Sequence, residues 1–176
     1  DLLSVGSGRA ELFVTTRFLL IAAAAIANFA LGAAVLSRAP RGAVHRYFAL
    51  FSWSVAVWTL SNGLALAYPE VPWRDIWPRL AFAAASVIPL AFLLLASVFP
   101  TSTPSAPRIV LLTFMAAGAG LFCASFTGLI VRGTTIVDGI LRLKYGPLHL
   151  PFGVYFVSCF GFSLALLVRK HRVLTG

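Results

Sequence analysis

Leu80–Phe99 reads LAFAAASVIPLAFLLLASVF, a stretch of apolar and small residues without one ionisable side chain. A helix rises about 1.5 Å per residue, so roughly 20 such residues cross the roughly 30 Å hydrocarbon core of a bilayer. Four further apolar runs, nearly free of charge, flank it at residues 13–36, 48–67, 109–130 and 152–168. The last is the shortest and still within the spanning range. The reading is an all-α membrane protein: a five-transmembrane-helix bundle forming a single integral-membrane domain over residues 1–176. The first run is too long, and followed by too many others, to be a cleaved signal peptide.

Composition agrees. Hydrophobic residues make up 60% of the chain and charged ones 11%, whereas an ordinary soluble domain carries about 25% charged residues. The net charge of +9 lies almost wholly in the short segments between the runs. Basic side chains there meet anionic headgroups and set topology, so the bilayer is the implied partner and nucleic acid is not.

The connections carry breakers. Pro40 and Gly42 end the first span, and Asp1–Arg9, with Gly6 and Gly8, reads as flexible. Tyr68–Pro78 holds three prolines, which exclude continuous helix, and Tyr68, Trp73 and Trp77 are residue types that settle at the membrane interface. Phe99–Pro107 is a second breaker-rich loop. Pro89 should kink the third span unless neighbouring helices satisfy the carbonyl it frees. Between the last two spans, β-prone residues flank the pair Asp138-Gly139. That pair is the signal for a two-residue hairpin turn, so a small extracytoplasmic β-hairpin is expected there, packed on the bundle.

Five spans place the 37–47 turn, the 100–108 loop and the C-terminus on one side. That side holds Arg38, Arg41, Arg46, Arg108, Arg169, Lys170 and Arg172 and no acid. The other side has as many basic residues, together with Asp1, Glu11, Glu70, Asp75 and Asp138. The count ties; the tight basic clusters decide, giving a cytoplasmic C-terminus with the N-terminus and hairpin outside.

No span carries Asp, Glu, Lys or His in its middle, which speaks against pumps, proton-coupled transport and charged filters. No nucleophile–base set, zinc motif or phosphate loop can be assembled, so no catalytic residue, metal site or cofactor is assigned and enzymatic activity is not expected. Cys123 and Cys159 read as packing residues. His45, His149 and His171 lie near span ends; His149 reaches a cofactor only near the outer interface, against the plainer reading of a loop histidine. Intramembrane hydroxyls are expected to back-bond to their own helices.

Small residues recur at fourfold spacing: Ala24, Asn28 and Gly32 on the first span, and Gly120, Ala124 and Gly128 on the fourth. Such stripes let helices approach closely, within the chain or against a second subunit. Asn28 and Asn62 are expected to seek partners in the bundle interior. Trp53, Trp58 and Asn62 on the second span are the candidate ligand-binding residues, lining a pocket for an apolar ligand, a quinone or a lipid; the competing reading is aromatic packing.

Asn28-x3-Gly32, the basic Arg/Pro turn, Arg46-Tyr47-Phe48-Ala49-Leu50, Trp53, Trp58, Phe99-Pro100 and Tyr145-Gly146-Pro147-Leu148 occur in that order. This pattern resembles the seven-helix N-terminal sensor region of bacterial histidine kinases and some diguanylate cyclases, through its first five helices. The resemblance implies a non-catalytic sensory module of the bacterial inner membrane that passes a signal to a cytoplasmic output domain. It also implies a pocket at Trp53, Trp58 and Asn62, covered by the hairpin. Two further helices and an output domain are then expected beyond Gly176, unless the fold serves another purpose. The alternative is an accessory subunit of a respiratory or photosynthetic complex, binding lipids, other membrane subunits or a homodimer partner through its stripes and phenylalanine-rich faces.

Overall fold

The computed structural model describes residues 2–67, 74–100, 106–137 and 140–175, with side chains described for residues 15–67, 74–100, 106–137 and 141–173. The Trp73 side of the second connection, most of the 100–107 loop and the Asp138-Gly139 turn lie outside these residues. Five helices follow the five runs: α1 Leu2–Arg38, α2 Ala43–Ala67, α3 Ile76–Val98, α4 Arg108–Ser125 and α5 His149–Thr175. Each has a stretch long and apolar enough to cross a membrane. A two-stranded antiparallel hairpin, β1 Val131–Val137 and β2 Ile140–Tyr145, stands between α4 and α5.

The boundaries differ from the sequence reading in instructive ways. Helix α1 begins at Leu2, so residues 2–9 are helical where a flexible lead was expected: the glycines weaken a helix without breaking one that an apolar span propagates. Helix α4 stops at Ser125, although the apolar run continues to Ile130. The Phe126 and Thr127 amides turn back onto the Cys123 and Ala124 carbonyls, and the Thr127 hydroxyl also donates to Ala124 at 2.7 Å. The chain then leaves the helix with Phe126 and Leu129 exposed, and only at Ile130 and Val131, both fully buried, does it enter the core. Helix α5 tolerates Pro151 because it falls in the first turn, where amides have no intrahelical partner.

Helix α3 is the axis. Two thirds of its spanning window is buried, against well under half for every other helix. It packs on α2, α4 and α5, while α1 packs on α2. Buried Ala81, Ala83, Ala84, Ala85, Ala91 and Ala96 give it a narrow profile that lets three neighbours close in. Pro89, also fully buried, removes the amide that the Ala85 carbonyl would receive. The Tyr155 hydroxyl from α5 donates to the adjacent Ser86 carbonyl at 2.8 Å, supplying an interhelical bond in the opened turn.

Most polar side chains stay on their own helices. Ser54, Ser86, Thr113, Ser125 and Ser163 donate to carbonyls three or four residues earlier. The asparagines do the same, contrary to expectation: Asn28 donates to Ala24 at 2.9 Å and Asn62 to Trp58 at 2.7 Å. A primary amide reaches its own i−4 carbonyl without needing a neighbour, and this local bond wins over one across the bundle.

Two polar tethers lie at opposite ends of α3. At its N-terminus, Asp75 accepts from both the amide and the hydroxyl of Thr134 on β1, and Arg74 donates to the Thr134 carbonyl at 3.3 Å. At its C-terminus, Lys170 of α5 donates to the carbonyls of Ala96, Ser97 and Phe99 at 2.9, 2.8 and 2.5 Å. These are among the carbonyls a helix end leaves unpaired, and a cation is the favoured partner there.

Candidate functional site

A cavity of about 530 Å³ is a groove floored by α3 and walled by α2 and α5. Helix α2 supplies Val55, Trp58 and Asn62, at spacings of three and four that place them on one face. The floor is Ala81, Phe82, Ala85 and Ile88, two of them alanines that leave the space open. Helix α5 contributes His149, Phe152, Gly153, Phe156 and Val157, and Leu143 of β2 closes the hairpin end.

The hairpin is seated by apolar packing. Ile130, Val131, Ala85, Ala124 and Phe152 form one buried cluster, with Phe82, Leu121, Leu143, Leu148 and Phe156 packed against it. Phe82 meets Phe152 edge-on at 5.1 Å. The His149 ring stacks on Tyr145 at 3.9 Å and meets Phe82 edge-on at 5.8 Å, so its plane is fixed at the hairpin end of the groove. Its Nδ1 is buried and has no hydrogen-bond partner.

The surface offered is therefore aromatic and aliphatic, with Asn62, the Trp58 indole and His149 as its polar points. Trp58 remains 44% exposed, so one wall of the groove faces outward. Such a site accommodates a bilayer-soluble molecule better than an ion or a sugar.

Of the three pocket candidates, the structure brings Trp58 and Asn62 to the groove and places Trp53 elsewhere. Trp53 points the other way around α2, stacks on Phe29 at 5.6 Å and donates to the Phe29 carbonyl at 3.2 Å. Five residues of helix separate Trp53 from Trp58, well over a full turn, which puts them on different faces. Its role is to join α1 to α2. Gly32 belongs to that contact, since a Cβ there would stand 2.7 Å from Trp53 Nε1.

The α4 stripe dissolves. Gly120 faces open space, Ala124 is in the core, and Gly128 lies beyond the helix in the turn that follows. The close approach on α4 is at Gly118, where a Cβ would stand 2.6 Å from the Tyr155 hydroxyl. Sequence reasoning missed Gly118, Phe152, Phe156, Asp75 and Lys170. The aromatic i, i+4 spacing of Phe152 and Phe156 was available as a signal; the tethers join residues about 60 and 70 positions apart and left none.

The architecture defines a multi-pass membrane helix bundle with a lateral apolar groove. The chain matches, over residues 19–175, the family described as the N-terminal 7TM region of histidine kinase. It belongs to that family, as the order of its motifs implied. No curated protein and no solved structure matches it.

Proposed function

We propose that this chain is the membrane sensory module of a signalling protein, without catalytic chemistry of its own, and that the α2–α3–α5 groove receives an apolar ligand from the bilayer. The observation that carries the reading is the groove itself: a cavity of about 530 Å³ with Trp58 and Asn62 on its rim, in a member of a kinase membrane-region family. A ligand shifts a two-state bundle only by binding one state better. Here it would favour one spacing of α2 against α5. Helix α5 carries His149 in the groove and Lys170 at the far end of α3. At about 1.5 Å per residue, one rigid element thus links the groove to the opposite membrane face.

The test is a Trp58→Ala, Asn62→Ala double variant in the signalling protein that carries this region. Loss of at least tenfold in ligand sensitivity, with unchanged expression, is expected. An unaltered response removes the groove from the mechanism. We further propose that the hairpin lies outside the cytoplasm of a bacterial inner membrane and the C-terminus within it. A cysteine at Thr135, half-exposed on β1, should then react with an impermeant maleimide in intact cells; labelling only after lysis reverses the orientation.

A structural role within a larger membrane assembly is the second reading. Gly120 and Gly161 face open space, and Ile109, Leu112, Met115 and Phe122 of α4 are exposed. A neighbouring helix would cover them. Co-migration with a large complex on native gels of mildly solubilised membranes would favour this reading, and migration as a free chain would end it.

A further inference from the structure

We propose that a second cleft, at the basic end of the bundle, is a site for one anionic phospholipid, its acyl chain within the cleft and its phosphate on Arg38 and Arg41. This site is separate from the groove of the preceding reading and does not depend on it. The cleft has a volume of about 320 Å³ and lies among α1, α2, α3 and α5. Val35, Val44, Phe48, Phe92, Leu95 and Leu167 are among its lining residues. Apart from His45, its walls are apolar and suit a hydrocarbon chain.

Its mouth is defined by the short turn between α1 and α2. The Gly42 amide closes that turn on the Ala39 carbonyl at 3.0 Å, and the Arg46 amide starts α2 on the Gly42 carbonyl at 3.1 Å. Arg38 lies three residues beyond Val35, about one helical turn along α1, and Arg41 stands in the turn itself, three residues before Val44. Arg38, Arg41 and Arg46 are all exposed. The sequence has no Asp or Glu between Glu11 and Glu70, so no local carboxylate competes for these cations.

Nearby, the C-terminus of α3 would ordinarily repel a phosphate through its unpaired carbonyls. Lys170 covers three of those carbonyls. This removes the repulsion and also commits the lysine, leaving the arginines as the phosphate ligands. Guanidinium groups suit that task because they hold phosphate oxygens in pairs. Basic pockets between membrane helices recognise anionic headgroups in this way. A free phosphate would leave the apolar cleft unused, which is why the occupant is a lipid.

The experiment uses the 176-residue chain in a neutral detergent, with native mass spectrometry to count retained lipid and a thermal shift to measure its effect. Phosphatidylglycerol should give one retained lipid per chain and raise Tm by several degrees; phosphatidylcholine should do neither. Arg38→Gln with Arg41→Gln should weaken retention at least tenfold. Val44→Trp, which fills the cleft and keeps every charge, should do the same, with Val35→Phe as the alternative if that variant misfolds. Arg142→Gln with Lys144→Gln, on the hairpin, should change nothing. Equal retention of phosphatidylcholine overturns the proposal. So does full phosphatidylglycerol binding by the cleft-filled variants, which would mean diffuse attraction to a charged surface. Stabilisation by inorganic phosphate or glycerol phosphate alone would make it a free-anion site and overturn it equally.

Discussion

Gly146→Ala should unseat the hairpin from the bundle while leaving the helices in place. A Cβ at Gly146 would run into the Leu129 carbonyl and stand 2.6 Å from the Gly128 carbonyl oxygen. Both obstacles are backbone, so neither yields by a rotamer change. The Gly146 amide also donates to the Ile130 carbonyl at 2.8 Å, and the Leu148 amide to Leu129 at 2.9 Å. These bonds hold the exit from β2 against the approach to β1, beside the buried pair Ile130 and Val131. Overpacking of this kind costs about 3 kcal/mol at the upper end of its usual range. The expected result is faster tryptic cleavage at Arg132, Arg142 and Lys144 of the detergent-solubilised protein, with little change in helix content. Cleavage at the parent rate would show that the hairpin is not seated through this contact.

Lys170→Met should have a comparable effect at the other end of α3. Methionine keeps the length and apolar stem of lysine and removes the ammonium that serves Ala96, Ser97 and Phe99. Hydrogen bonds to a charged group are worth about 1.5–3 kcal/mol each, and three sharing one donor do not add fully. Allowing for water reaching the freed carbonyls, the loss should be about 3 kcal/mol in an SDS-titrated unfolding experiment. Lys170→Arg, which keeps the charge and donors, should recover much of it. If methionine and lysine unfold at the same SDS fraction, the cap contributes nothing. Because the interaction caps a helix rather than pairing two exposed charges, moderate salt should change it little.

What the sequence reveals of this fold is set by where the information resides. Membrane spans are legible because the bilayer imposes a length and an apolar composition on each one independently. The hairpin is legible for a similar reason: its register, with Val137 opposite Ile140, leaves Asp138-Gly139 as the connection, and that pair is a local signal. Trp58 and Asn62 share a face by helix periodicity alone, and that face lies on the groove. Trp53 shows the limit of the same reasoning. Tryptophans in one span look alike in composition, and only the position of α1 decides that Trp53 is covered by Phe29 and Gly32.

The end of α4 was illegible for another reason. Residues 126–130 are apolar enough to continue the span, and hydropathy cannot show that the helix turns aside there and that Ile130 is buried against Phe152 and Ala85 instead of facing lipid. The tethers at Asp75 and Lys170 were hidden by distance along the chain. Asp75 reads as a loop acid and Lys170 as one more basic residue at a membrane edge. Their partners, Thr134 and three backbone carbonyls, are specified only once the helices have assembled.

The interhelical bonds of Trp53, Tyr155 and Lys170 fall into two groups with a mechanical meaning. Trp53 rivets α1 to α2. Tyr155 and Lys170 rivet α5 to α3, and Asp75 adds the hairpin to that second body. None of these rivets crosses from α2 to α3, where the contact includes Phe51 and Phe92, their rings tilted by 45° at 5.8 Å. The bundle is thus riveted as two bodies, α1 with α2 and α3 with α5 and the hairpin, which meet across the broad α2–α3 contact. The groove opens beside that contact, with Trp58 and Asn62 on one body and Phe82, Phe152 and Phe156 on the other.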